Sequence, residues 1–209
     1  MRFVLNAEQT MGMPALSKHR WTAADVRALM DASRHWPRYE LLDGELLVTN
    51  APTLAHQWAV TELAALLRNY CERERVGVAL VSPADIELAP ESIMQPDVFV
   101  VPSRLVPAEG DMRWPAVKEL ALAVEVLSPS TMRDDRVRKR DFYLANRVGE
   151  CWMVDLDGRV IERWTPDRAR PDIRRDELVW RPEGAAAPFL LDVAKFFGDN
   201  PGLKRGAHD

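Results

Sequence analysis

Cysteine is nearly absent from this chain: Cys71 and Cys151 are the only two in 209 residues. They stand far apart, with no CxxC pair and no zinc-type spacing, which excludes a disulfide framework and a structural zinc as organising devices. Long apolar runs are missing too. None approaches the roughly 18 residues of a membrane span, and the apolar stretch near Met1 is too short for a signal peptide. A reduced, cytoplasmic protein is the expectation. A Gly-rich phosphate loop, a Gly-x-Ser-x-Gly elbow and a His-Glu-x-x-His helix are all lacking, which argues against the enzyme classes they mark. Positive charge is not in excess either: the net charge is −4, unlike a protein that coats nucleic acid non-specifically. A nuclease stays open, because site carboxylates push the total negative and only a local basic surface is needed. One such surface is suggested by Arg133, Arg136, Arg138, Lys139 and Arg140, although a solvated helix face reads the same way.

What is present is an ordinary globular composition, 47% apolar and 29% charged, in a length that suits one α/β domain. Residues 1–18 show no period and read as a flexible arm, 19–198 as a single domain and 199–209 as a frayed tail. Thr22, with Asp25 three residues on, caps a short amphipathic helix. Tyr39–Leu42 and Glu45–Val48 flank Asp43-Gly44, a strong hairpin signal. Thr53 opens a long helix over 53–75, with Leu54, Trp58, Leu63, Leu66, Leu67 and Tyr70 on its apolar side. Strands follow at 78–81, 84–88, 97–101 and 119–127, separated between 102 and 118 by a loop or short helix. Ser128-Pro129-Ser130-Thr131 breaks the last strand before a helix over 132–147. A second hairpin pairs 151–156 with 159–164 about Asp157-Gly158. Another short strand lies at 177–180, and 189–197 reads as a closing helix or packing tail. Strands flanked by helices, with hairpins at the margins, imply an α/β (α+β) fold with a mixed sheet.

Within this pattern two acidic residues sit where folding alone would not put them. Asp97 begins the apolar run Val98–Val101, and Glu125 lies inside Leu122–Leu127. A buried, unpaired carboxylate costs several kcal/mol, so the fold must supply a cation or raise the pKa. Glu40, in the first hairpin, reads alone as a surface residue and with Asp97 and Glu125 as a third carboxylate, and Glu45 is a weaker version of the same case. Lys139 follows Glu125 by 14 residues, on the flank of the predicted helix, whose Val137, Leu144 and Val148 are expected to face the sheet. His56, in the first turn of the long helix, could touch phosphate, but a surface position is the simpler reading. Asp155 reads as structural. Carboxylates and a lysine converging on one point suggest a divalent-metal site for phosphodiester hydrolysis.

The ordered set Tyr39-Glu40-Leu41-Leu42-Asp43-Gly44-Glu45, His56-Gln57, Gln95-Pro96-Asp97, Val124-Glu125-Val126-Leu127-Ser128-Pro129-Ser130-Thr131, Lys139 and Glu150-Cys151-Trp152-Met153-Val154-Asp155 resembles the Uma-type family of bacterial restriction endonucleases, within the PD-(D/E)XK nuclease superfamily. The likeness spans about residues 20–197. It implies a restriction-endonuclease-like core and a metal-dependent nuclease acting on nucleic acid, with DNA the expected substrate. Asp97 and Glu125 would correspond to the motif acids, with Glu40 ahead of them, holding Mg²⁺ or Mn²⁺ with help from the Val126 carbonyl. The lysine of the superfamily pattern, two residues after Glu125, is replaced by Leu127, and Lys139 resembles its relocated counterpart. Arg133, Arg136 and Arg140, with His56, would contact phosphates, and a homodimer is expected for cutting both strands. Two rivals remain: a catalytically weak or inactive nuclease-fold binding or accessory protein, and a hydrolase using Glu40 and Glu125 as an acid/base pair on a non-nucleic substrate.

Overall fold

The structure is a computed structural model that describes residues 20–32, 37–106, 114–127 and 135–203. The expected N-terminal arm, the Ser128–Thr131 break and Arg133 lie outside the described residues.

Six strands form the central sheet, in the order β3-β4-β5-β6-β7-β8: β3 (Gly77–Val81), β4 (Val98–Pro102), β5 (Leu120–Leu127), β6 (Val148–Asp155), β7 (Val160–Trp164) and β8 (Asp172–Arg174). Only β5 and β6 run parallel; the other neighbours are antiparallel, so the sheet is mixed as expected. Parallel neighbours need a crossover. This one includes a π-helical turn, Asp135–Lys139, that leads into the short helix α3 (Arg140–Ala145). The hairpin of β1 (Arg38–Leu42) and β2 (Glu45–Thr49) turns at Asp43 and Gly44, both at positive φ, as the Asp-Gly dipeptide requires.

Helices cover both sheet faces. The helix α2 (Leu54–Glu74) packs on one face, where Ala59, Leu63 and Leu67 meet Val98, Leu122, Val124 and Val126. The opposite face joins Phe99, Ala123, Leu127 and Met153 to Phe142 and Tyr143 of α3 and to Leu42 of β1. With both faces buried, β5 reads as a continuous apolar run rather than an alternating one, which makes Glu125 conspicuous. Thr53 caps α2 by accepting the His56 N–H. Thr22 and Asp25 cap the helix α1 (Ala23–Ala32) reciprocally, their side chains accepting each other's backbone N–H groups.

Several expectations are corrected. Residues 84–88 form no strand: only Ile86 pairs, with Met94, because Pro90 and the positive-φ Glu91 turn the chain back at once. Leu54 is 68% exposed, and the buried stripe of α2 runs instead through Ala55, His56, Ala59 and Val60. The second hairpin closes through a four-residue turn, with Asp155 opposite Val160, since the Asp155 carboxylate accepts the Gly158 N–H and tightens the loop. The closing segment is a strand before it is a helix. β10 (Phe189–Asp192) pairs with β9 (Glu177–Trp180), and α4 (Val193–Asp199) follows, capped by Asp192. The chain does not fray at 199: Asn200 is buried and donates to the Ala55 carbonyl.

Candidate active site

The carboxyl end of β5, the residues leading into β4, the hairpin strand β1 and the turn before α3 meet on one side of the sheet. Glu40 comes from β1, Glu125 from β5, and Lys139 is the last residue of the π-helical turn. All three are buried. The Lys139 ammonium donates to Glu40 Oε2 at 2.7 Å and to Glu125 Oε2 at 3.1 Å. The other oxygens are met as well. Glu40 Oε1 accepts the backbone N–H of Gln95 at 2.7 Å, and Glu125 Oε1 accepts the Tyr143 hydroxyl at 2.6 Å. Two buried like charges are tolerable only with a cation between them, and Lys139 is that cation.

Asp97 stands beside this group. Its Oδ2 accepts the backbone N–H of Val126 at 2.9 Å, the residue after Glu125, where the β4–β5 ladder has ended. This hydrogen bond turns the carboxylate along the sheet rather than up from the face that carries Phe99 and Val101. Arg38 donates to Asp97 Oδ1 at 3.1 Å, and His56 Nε2 lies 3.3 Å from Oδ2. Burial alone would raise the Asp97 pKa. The His56 hydrogen bond and the charges of His56, Arg38 and Lys139 outweigh it and hold the carboxyl below its ordinary range. Tyr143 moves the other way: burial, then the Glu125 and Glu40 charges, push its hydroxyl well above the usual value and keep it a donor.

The structure thus brings Glu40, Glu125 and Lys139 together and ties Asp97 to the strand of Glu125. Among the described residues no three His, Cys, Asp or Glu side chains converge closely enough to hold a metal ion. The three expected ligands are instead divided between two ion-paired groups. Their chemistry still fits a hard divalent ion, since every candidate donor is an oxygen and magnesium takes only one or two protein carboxylates with waters. The Val126 carbonyl points to the same side of β5 as its N–H, toward Asp97.

Other placements differ from expectation. His56 is buried against Asp97 rather than on the surface. Lys139 lies in the buried stripe with Phe142 and Tyr143, while Val137 is 45% exposed. Lys139, Phe142 and Tyr143 keep the ordinary i, i+3, i+4 spacing of a helix, and it is their stripe, rather than that of Val137, that turns inward. Arg136 pairs with Asp155 and Glu162, Arg140 with Asp141 while lying over the Trp164 ring, and Arg138 with Glu45. Glu45 therefore faces an arginine at the surface, and Asp155 is structural. Three residues of the site were not anticipated: Tyr143, Arg38 and Gln95. Two had a signal. Tyr143 is one helical turn from Lys139, and Arg38 shares a β1 face with Glu40.

A family model, Uma2, described as "Putative restriction endonuclease", matches residues 24–193. A solved structure described as "a putative nuclease belonging to DUF820 from Anabaena variabilis ATCC 29413" superposes with a TM-score of 0.68. The alignment covers 83% of this chain and 97% of that one at 16% identity, a likeness that establishes the fold. A search of curated proteins gives no match.

Proposed function

The chain belongs to the Uma2 family of restriction-endonuclease-like proteins, and from that premise we propose that it is a metal-dependent endonuclease that hydrolyses phosphodiester bonds in DNA. The observation that carries this reading is the ammonium of Lys139 held between two buried carboxylates, one strand residue away from the Asp97–Val126 contact. Such a buried charge cluster is expensive to build, and three charged side chains buried around one point are better explained by chemistry than by stability.

Asp97, Glu125, the Val126 carbonyl and Glu40 would hold Mg²⁺ or Mn²⁺. When bound, such an ion neutralises phosphate charge and makes a nearby water more acidic. The chain's own groups do the rest. Arg38 and His56 fix the Asp97 carboxylate from two directions, and Tyr143 fixes Glu125. Lys139 carries three N–H donors on a flexible stem, enough to orient the attacking water or to meet a phosphate oxygen as charge develops there. Flanking phosphates would be met by Arg136 and Arg140, and by Arg133, whereas the phosphate contact expected of His56 gives way to its buried place against Asp97. Because Arg136 and Arg140 are already paired with carboxylates, their phosphate contacts would be exchanges of partner and contribute positioning more than affinity. Cutting both strands calls for two such sites, hence a homodimer.

The test is cleavage of plasmid and single-stranded DNA by purified protein with Mg²⁺ or Mn²⁺, against Asp97→Ala. Metal-dependent cleavage that survives the substitution would sink the assignment. A second reading is a nuclease-fold accessory protein that binds without cutting. It is favoured by the full internal pairing of the Glu40 and Glu125 oxygens, and it predicts DNA binding with no cleavage in either metal.

A further inference from the structure

We propose that Lys139 is the resident counter-ion of the metal-free protein, and that a divalent ion takes over its place between Glu40 and Glu125. The proposal rests on the metal-dependent reading above and specifies how that site is kept before the ion arrives.

The two carboxylates are held from behind. Glu40 Oε1 is fixed by the Gln95 backbone N–H, and Glu125 Oε1 by the hydroxyl of Tyr143, which is wholly buried. Neither donor can move without repacking the core. The two remaining oxygens, Glu40 Oε2 and Glu125 Oε2, are therefore aimed at one point, and the Lys139 ammonium lies there. Convergent carboxylate oxygens on rigid supports are what a hard cation requires. The ammonium is the adaptable member of the group: a compact charge on a four-carbon stem, carried by a π-helical turn, a winding that recurs at functional sites.

A single positive charge and a doubly charged ion cannot share that point. Lys139 meets both carboxylates at 2.7 and 3.1 Å in a site closed to solvent. On metal entry the ammonium must withdraw, which releases its N–H donors for water or phosphate. A lysine acting only as a structural tie would make the opposite demand, since the carboxylates would then lose their geometry when it is removed.

The test is calorimetric titration of Mn²⁺ into the full chain, without DNA, for the wild type, Lys139→Met and Lys139→Gln. Relief of like-charge repulsion at about 4 Å should tighten Mn²⁺ binding by at least about tenfold in both variants. Equal or weaker binding by folded variants overturns the proposal. If neither wild type nor variants bind Mn²⁺, the metal-dependent reading itself falls and this inference with it. A second measurement on the wild type covers variants that do not fold. Reductive methylation of lysines, read by peptide mass spectrometry, should label Lys139 several-fold more with saturating Mn²⁺ than without it. The exposed Lys195 serves as the internal control. Unchanged labelling of Lys139 under Mn²⁺ saturation also overturns the proposal.

Discussion

Tyr143→Phe removes one oxygen atom from the centre of the charge cluster and leaves the ring in place. The phenol is fully buried and donates to Glu125 Oε1 at 2.6 Å. Its ring packs in the cluster formed with Phe142, Ala123 and Met153, so phenylalanine opens no cavity. The loss is then mainly the hydrogen bond to a charged acceptor, which contributes about 1.5–3 kcal/mol, and a net destabilisation of about 2 kcal/mol follows. For a domain of this size that corresponds to a fall in Tm of about 4–8 °C. Urea unfolding monitored by tryptophan fluorescence at pH 7 measures it directly.

The same pair predicts a pH signature. Burial, then the Glu125 and Glu40 charges, raise the Tyr143 pKa in the folded state, so the fold binds that proton more tightly than the unfolded chain does. The resulting stability is fully present below the unfolded value of about 10 and is lost as pH climbs through the raised folded value. Tyr143→Phe lacks this loss, so the gap between wild type and variant should narrow above pH ~10. A difference below about 0.5 kcal/mol at pH 7, within the range of neutral surface substitutions, would refute the reasoning. So would a gap that stays constant into the alkaline range.

The remaining predictions concern the neighbouring charge, the thiols and two glycines. Asp97→Asn should cost about 3 kcal/mol near neutral pH, because Arg38 and His56 lose the charge they are packed against. The folded Asp97 carboxyl is held below its ordinary range, so its contribution is present above pH ~4 and lost on acidification. Urea midpoints from pH 6 downward should therefore fall more gently for the variant than for the wild type. Burial pushes the Cys71 thiol up to about 11, and burial with the Glu125 charge raises Cys151. A thiol-specific disulfide reagent at pH 8 should label neither until the protein unfolds, and prompt labelling of the native state would contradict the buried placement. At Gly149 an added Cβ would stand 2.8 Å from the Ala121 carbonyl across the β5–β6 ladder, so Gly149→Ala should destabilise by about 1–3 kcal/mol. Gly198, within α4, has open space around it, and Gly198→Ala should instead gain up to about 1 kcal/mol of helix propensity. Thermal melts of both variants test the pair of signs.

Two of the three acids of the candidate site were legible because each breaks a local rule. Asp97 and Glu125 interrupt runs that otherwise read as buried strand, whereas Glu40, which alone reads as a surface residue of the hairpin, stands out only beside those two. The caps at Thr22 and Thr53 were legible for the same local reason, since the side chain and the N–H it satisfies lie within three residues. What local pattern could not convey were features decided at a distance. Leu54 looked like part of a buried stripe because nothing nearby says which way α2 turns toward the sheet. His56 looked exposed because its partner, Asp97, is 41 residues away. The inward face of the segment leading into α3 was not legible because Val137 and Leu144 mark one apolar stripe and Phe142 and Tyr143 another, and only packing on the sheet decides between them. β10 and α4 blurred into one apolar segment since a four-residue strand and a seven-residue helix are each too short for periodicity to separate.

The exchange of Leu127 and Lys139 is the point at which these levels meet. A lysine at 127 would share the strand face of Glu125 and be held by the β6 ladder beside it. Leu127 instead packs, 2% exposed, in the cluster with Tyr143 and Phe142, so that position belongs to the hydrophobic core. The ammonium reaches Glu125 from the opposite layer, through a side chain rooted in a turn rather than in a ladder. The ion pair demanded by the buried carboxylate is thereby supplied from a helical element that packs on the sheet. A strand-borne lysine is placed by the register of its sheet, whereas one borne by a π-helical turn can shift with the packing of that turn. The relocation keeps the charge and alters its freedom, which is the property that exchange of Lys139 for a divalent ion would need.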